Sequence, residues 1–390
     1  MPKTISATAK KTSKVSLPDA NKAESNRILS FDLMRGYFLC VILLNHLGYY
    51  PNWLTPLTGQ GFLYASTAEG FFAVSGIVLG IVRGRKLLNQ PFSIAAKLLW
   101  KRAAQLYITS IVLTLLFTVI GQLFINNPGL KFGIYTDWSN WWNLIWQTIT
   151  LTYSYSWADF LRFYALFLAA APAFLWLLRK NLWYVGLAIS FGLWALYPSD
   201  ATGLNAQLWQ PLAWQLLFFA SFAIGFYWQN IISFWRKLPS ALGKTIKTVW
   251  VVVFLATLFI SFALVFNSEF SGETAKYLYE QHRIIEQNFL KDSLPLERIG
   301  LGIIWFWGIF IIFRRFEKQL MRYTGGLLYA FGSHSLYVYT VSAVVIFFMH
   351  LIVPPPGFES RIINFVLSVS ALAIVWLALK TNFLTKVIPR

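Results

Sequence analysis

Long apolar stretches recur along nearly the whole chain and are separated by short polar segments. Each stretch approaches the 20 or so residues that a membrane-spanning helix needs. Because a helix satisfies its own backbone hydrogen bonds within lipid, the pattern predicts an all-α, polytopic transmembrane bundle of about ten spans. The predicted spans are residues 33–50, 62–82, 103–124, 158–178, 181–197, 210–230, 248–267, 298–314, 327–350 and 360–379.

Three segments depart from this pattern. Residues 1–27 are polar and contain no apolar stretch, so they predict a disordered cytoplasmic tail rather than a secretory signal. One transmembrane domain is then expected over residues 28–390. Residues 125–157 are rich in Trp and Tyr, which is typical of a membrane interface and also of sugar-stacking surfaces. Residues 268–297 carry many charges and predict a helical cap at the surface.

Charge and composition set the orientation and the class of protein. The chain has 33 Lys and Arg against 15 Asp and Glu. Most of these cations fall inside if the N-terminus is cytoplasmic, which predicts two cytoplasmic termini in a plasma (inner) membrane. This bias explains the net charge of +18, so no nucleic-acid partner is expected. With 57% hydrophobic and 12% charged residues, the composition excludes a soluble enzyme, a disordered chain and a disulfide scaffold.

The first span carries three polar side chains that are costly in a bilayer. Asp32 and Arg35 lie near its predicted cytoplasmic end, and His46 lies near its outer end. Eleven residues of helix are three turns plus about 20°, so Arg35 and His46 share one face about 16 Å apart. A satisfied core histidine, and a structural Asp32–Arg35 pair, are the alternatives without function.

Glu69 is the second anomaly, because it lies just inside the outer boundary of the second span. We expect it at the depth of His46, where a carboxylate can orient an imidazole as a general base. Ser75, Gly76 and Gly80 lie further along the same span and favour close helix packing.

Two more groups of polar residues flank the spans. Arg83, Arg85 and Arg102 join Arg35 at the predicted cytoplasmic mouth, where they suit a phosphate-rich ligand such as coenzyme A. The alternative is the ordinary excess of inside cations. At the outer rim, Asp159 and Arg162 are spaced to pair, and Tyr164 follows them. No phosphate-binding loop, dinucleotide fingerprint or Cys/His metal spacing is present, so no bound metal or cofactor is expected.

These motifs together resemble the acyltransferase-3 superfamily of membrane acyltransferases, and most closely its OpgC-type branch, known for O-succinylation of periplasmic glucans. The matching motifs are FDLMRGYFLCVILLNH at 31–46, AEGFFAVSG at 68–76, RAAQLY at 102–107, DFLRFY at 159–164, AWQLLF at 213–218 and GSHSLYV at 332–338. The chain departs from the family pattern at Arg162, where Pro is expected, and at Ser342, where the superfamily often has His.

The resemblance implies transfer of an acyl group, with succinyl as the candidate, from cytoplasmic acyl-CoA to a hydroxyl of a cell-envelope saccharide. His46 would be the general base and Glu69 its orienting acid. Asp32, Arg35, Arg83, Arg85 and Arg102 would shape the donor path, whereas Asp159, Arg162 and Tyr164 would bind acceptor or acyl group.

Two readings from other classes remain open at this point. A transporter or flippase of a lipid-linked sugar would also use aromatic outer segments and a polar interior, although no internal repeat supports it. A structural partner subunit would need neither His46 nor Glu69.

Overall fold

The computed structural model of the protein describes residues 28–130, 140–198, 201 and 203–385, with the backbone alone for 203–207. The predicted tail at 1–27 and residues 131–139 of the aromatic segment lie outside the described residues.

All regular structure in these ranges is helical. The α-helices are, in chain order, α1 (Leu29–Leu47), α2 (Thr55–Thr58), α3 (Thr67–Leu79), α4 (Phe92–Leu123), α5 (Trp141–Ile149), α6 (Asp159–Arg179), α7 (Trp183–Ala195), α8 (Gly203–Phe226), α9 (Trp228–Lys237), α10 (Ser240–Val265), α11 (Gly272–Ile285), α12 (Leu296–Arg315), α13 (Glu317–Tyr323), α14 (Leu327–Ser333), α15 (Ser335–Ile352) and α16 (Arg361–Lys380). A π-helical turn, Gly80–Arg85, extends α3.

Eight helices of the described chain are long and apolar enough to cross a membrane: α3 with its π turn, α4, α6, α8, α10, α12, α15 and α16. The other two predicted spans are also helices, but α1 carries two charges and α7 has only 13 residues. An all-helical membrane protein is therefore confirmed, whereas the ten-span count and the cytoplasmic termini remain predictions.

Helix α1 is the most enclosed element, because thirteen of its 19 residues are buried. Small residues let its neighbours approach closely. A Cβ on Gly36 would lie 1.8 Å from the Leu328 carbonyl oxygen, and one on Gly332 would lie 1.8 Å from the Asp32 carbonyl oxygen. Helix α14 is thus packed directly against the backbone of the N-terminal half of α1.

Close packing also joins α3 to α8, as the sequence predicts. A Cβ on Gly76 or Gly80 would come within 2.5 Å of a backbone oxygen of α8. In contrast, α10 and α12 are peripheral, since only 17% and 22% of their spans are buried, against 61% for α3. We therefore expect their exposed faces to meet lipid.

The segment between α1 and α3 folds back along the helices rather than lying over their ends. The Tyr37 hydroxyl donates to the Leu57 carbonyl at 2.9 Å, although Tyr37 is ten residues from the end of α1. The Asn52 amide donates to Ser368 Oγ at 2.9 Å, seven residues into α16. Irregular backbone at such depth is tolerated where protein or a cavity covers it.

Candidate functional site

His46 lies in the last turn of α1, one residue from its end, at what we call the His46 end of the bundle. The helix stops at Gly48, whose φ of 65° is the left-handed conformation typical of a helix C-terminus. The half-buried imidazole lines a narrow cavity of about 10 Å³ between α1 and α15. The other lining residues are Leu39, Ile42, Leu43, Trp157, Tyr339, Ser342, Ala343 and Ile346.

We call this cavity the α1/α15 seam. It starts at Leu39, one turn beyond Arg35, and reaches His46 at the opposite end. Its small volume is enough for about one water molecule, so the seam is nearly closed in this conformation.

Glu69 takes a different partner from the one the sequence predicts. Its Oε1 lies 2.5 Å from Nε of Arg298 on α12, and both side chains are buried, at 5% and 3% exposure. Its Oε2 accepts hydrogen bonds from the N–H and hydroxyl of Ser66, which closes a capping box at the start of α3. No hydrogen bond joins Glu69 to His46, and the two residues line different cavities. The carboxylate is held by the cation nearest to it.

Arg298 was missed as a functional residue because the sequence shows it only as one more cation at the start of a predicted span. Its side chain points into the bundle, where Nη1 donates to the Phe289 carbonyl at 2.5 Å. Its Nη2 is buried without a hydrogen-bond partner. Glu69 is the third residue of α3, and Arg298 is the third residue of α12. These matching positions of opposite charge are the sequence signal that could have revealed the pair.

Lys291 is a second residue that the sequence reasoning passed over. Its exposed side chain is the common electrostatic neighbour of His46, Glu69 and Asp159. The loop that contains Lys291 is held against α8, because Trp214 Nε1 donates to the Lys291 carbonyl at 3.1 Å and Gln210 donates to Asp292 at 2.9 Å. The predicted cap at 268–297 therefore brings a cation to the His46 end.

The cap is also tied to the bundle through Tyr64, just before α3. The Tyr64 hydroxyl lies 2.6 Å from His282 Nδ1 of α11, and its ring stacks on Phe289. Burial, with the Glu286 carboxylate nearby, raises the pKa of Tyr64 to about 12, so the hydroxyl keeps its proton at neutral pH.

Arginines converge at the other end of the bundle, which we call the Arg35 end. Arg102 of α4 has Arg35 and Arg83 as electrostatic neighbours, together with Tyr164 of α6. Arg35 Nη1 donates to the Gly332 carbonyl at 3.4 Å. Three guanidinium groups from three elements thus share one region.

The other two residues of the predicted donor path are Asp32 and Arg85. Asp32 is buried on α1 and forms no salt bridge with Arg35. Arg85 is exposed beside the Arg35 end. Neither position adds a contact that would mark it as part of a ligand site.

The predicted acceptor residues all lie in the first two turns of α6 but do not share one set of contacts. Among the described residues, no salt bridge joins Asp159 to Arg162, although each is an electrostatic neighbour of the other. Arg162 is buried and donates to the Leu151 carbonyl at 3.0 Å. Tyr164 lies with Arg102 instead of at the predicted outer rim.

The arrangement places cations at one end of α1 and an imidazole with carboxylates and a lysine at the other. Within the described ranges, no cluster of three or more His, Cys, Asp or Glu could hold a metal ion.

Fold and site together define a polytopic helical membrane protein with two polar ends. The chain matches the model of the OpgC protein family over residues 27–386, nearly its full length, and it belongs to that family. Family membership indicates a membrane acyltransferase that modifies glycans. No curated protein and no solved structure matches the chain.

Proposed function

We propose that the protein transfers an acyl group, with succinyl as the candidate, from cytoplasmic acyl-CoA to a hydroxyl of an extracytoplasmic glycan. The supporting observation is the cluster of Arg35, Arg83 and Arg102 at one end of α1 with His46 in the last turn of the same helix. Arg35, Arg83 and Arg102 hold the phosphates of the donor, since guanidinium groups match phosphate geometry. The pantetheine arm then enters the seam and carries the thioester toward His46.

At the His46 end, the imidazole takes the proton of the acceptor hydroxyl as its oxygen attacks the thioester carbonyl. The tetrahedral intermediate collapses with cleavage of the C–S bond, and the proton passes from the imidazolium to the departing thiolate. The products are the glycan ester and free coenzyme A. General base catalysis of this kind is worth about 10²–10⁴-fold in rate.

Glu69 has a positioning role in this scheme, because it holds Arg298 and the start of α3 rather than His46. Lys291 binds the free carboxylate of the succinyl group, since it is the exposed cation shared by His46 and Asp159. A Lys291→Met variant is then expected to lose succinyl transfer while acetyl transfer continues. An equal loss of both activities would contradict this role.

The experiment that tests the function is mass spectrometry of cell-envelope glycans from a deletion strain complemented with wild type, His46→Ala or Lys244→Met. We expect an acyl mass on the glycan with wild type and Lys244→Met, and its absence with His46→Ala at equal expression. Lys244 is the control because it is exposed at the start of α10, outside the clusters at both ends of α1. Normal acylation by His46→Ala would remove the catalytic assignment, and no acyl mass in wild type would remove the proposed reaction. In that case, transport by purified protein in vesicles without acyl-CoA would favour a transporter.

A further inference from the structure

A large cavity lies on the opposite side of α1 from the seam and has no part in the proposed reaction. It has a volume of about 230 Å³ and is bounded by α1, α10, α12 and the fold-back segment before α3. We call it the α10/α12 cavity. An apolar cavity of about 150 Å³ is enough to hold benzene, so this one accepts a longer apolar group.

The cavity is elongated along the helices. Its lining residues on α12 are Gly302, Trp305, Phe306, Ile309, Ile312 and Phe313. From Gly302 to Phe313 is eleven residues, or about 16 Å of helix. The lining residues on α10, which are Phe254, Leu258 and Phe262, repeat every four residues along one face. A slot of this shape, parallel to the spans, fits an extended chain better than a compact ligand.

The chemistry of the walls changes along the slot. Apolar side chains form most of it, whereas the polar residues Asn45, Thr58, Ser66, Thr67 and Glu69 gather toward the His46 end. An occupant with an apolar tail and a polar head matches this distribution. Because Asn45 directly precedes His46, the head would lie at the end of the bundle where the acceptor is expected.

Two of the helices that enclose the slot, α10 and α12, are peripheral. Phe259 and Val252 of α10 are 71% and 59% exposed on the far side of that helix. Leu57, which lines the slot from the fold-back segment, is itself 61% exposed, so the slot reaches the lipid-facing surface there. Indole hydrogen bonds hold α10 to α12, from Trp250 to the Ile304 carbonyl and from Trp305 to Thr257.

We infer that the α10/α12 cavity binds one hydrocarbon chain of a membrane lipid, which enters beside Leu57 and lies parallel to α12. The site is independent of acyl transfer, so it can be tested whether or not the proposed reaction is correct. The chain is an acyl chain of a bilayer phospholipid, because the slot reaches the lipid-facing surface at Leu57, where phospholipid is the surrounding solvent.

The test reconstitutes the full chain into vesicles of phosphatidylethanolamine and phosphatidylglycerol that include a phospholipid with a diazirine near its chain end. After irradiation, labelled positions are mapped by peptide mass spectrometry. Phe38 is 1% exposed and lines the slot, so bulk lipid cannot reach it. We expect label at Phe38 and Phe306 in addition to the exposed Phe259. Label at Phe259 alone would overturn the inference.

Paired variants test the position of the chain. A Cβ on Gly302 meets nothing within 4 Å, so Gly302→Leu fills the slot without a backbone clash. Gly300→Leu is its matched control, because Gly300 is equally open but does not line the slot. We expect Gly302→Leu to lose label at Phe38 and keep it at Phe259, whereas Gly300→Leu keeps both. Equal label at Phe38 in the two variants would refute the site.

A second pair of variants, on α10, provides the same test if Gly302→Leu does not fold. Leu258→Trp fills the slot from the other wall, and Leu255→Trp places the same side chain on the lipid face. Only the first is expected to abolish label at Phe38. Polyprenyl phosphate is then added as a competitor. Unchanged label at Phe38 is expected for a phospholipid chain, whereas displacement of the label would overturn phospholipid as the occupant in favour of an isoprenoid chain.

Discussion

Loss of one partner from the buried Glu69–Arg298 pair is expected to destabilise the protein strongly. In an Arg298→Met variant, the Glu69 carboxylate stays buried with only Ser66 to accompany it. Removing one member of a buried ion pair costs about 3–5 kcal/mol, which is more than a hundredfold in the folding equilibrium. Replacing both members with uncharged residues of similar volume is often neutral.

The matched variants form a double-mutant cycle of Glu69→Gln, Arg298→Met and the two together. We expect each single variant to be destabilised by about 3–5 kcal/mol and the double variant by much less than their sum. Glu297→Gln is the control, since Glu297 is an exposed carboxylate one residue from Arg298. The side-chain amide that Glu69→Gln introduces still accepts a hydrogen bond from Ser66, so these variants retain most of the capping box.

Cys40 provides the assay within the native sequence. It is the only cysteine of the chain and is buried in α1, so a thiol-reactive dye reports loss of the packed bundle. The labelling rate at fixed temperature gives the relative stability of each detergent-solubilised variant even if unfolding is irreversible. Additive effects of the two substitutions, or single variants as stable as Glu297→Gln, would refute the reasoning that the pair is structural.

Three further predictions address the two ends and the packing of α1. His46→Ala is expected to lower the acylation rate about 10²–10⁴-fold without changing the Cys40 labelling rate, and a normal rate would contradict its role as base. Arg102→Met is expected to raise the KM for acyl-CoA but not for the acceptor, whereas Lys244→Met, an exposed cation outside the cluster, should leave both unchanged. Gly36→Ala is expected to prevent stable packing of α14, because its Cβ would overlap the Leu328 carbonyl; Gly121→Ala, which meets nothing, is the comparison for expression and Cys40 labelling.

The hydropathy pattern predicts the helices well because a segment's own length and apolar composition decide whether it can be buried in lipid. Nine of the ten predicted spans each correspond mainly to one helix, whereas the span predicted at 327–350 is divided between α14 and α15. The observed helix boundaries differ from the predicted ones where a helix starts before or after its apolar stretch. Helix α4 begins at Phe92, eleven residues before the predicted span, because its cationic first turns continue the helix beyond the apolar part. Helix α3 begins at Thr67 because Ser66 and Glu69 form a cap there.

The candidate site was predicted in part. The sequence shows that His46, Glu69 and Arg35 are costly in a membrane, and it shows the grouping of cationic side chains at one end. It does not show which of these residues meet. Tyr164 was expected near the outer rim, yet its electrostatic neighbour is Arg102 at the Arg35 end.

The sequence by itself determined that this chain is a helical membrane protein whose first span carries an acid, a base and an imidazole on one face. Those conclusions depend on local composition and on the helical repeat. Only the tertiary structure decided that Glu69 pairs with Arg298, 229 residues away, and that Lys291 lies near His46. Such partners depend on how the helices are arranged around α1, because a charge is satisfied by whichever opposite charge packing brings within a few ångströms.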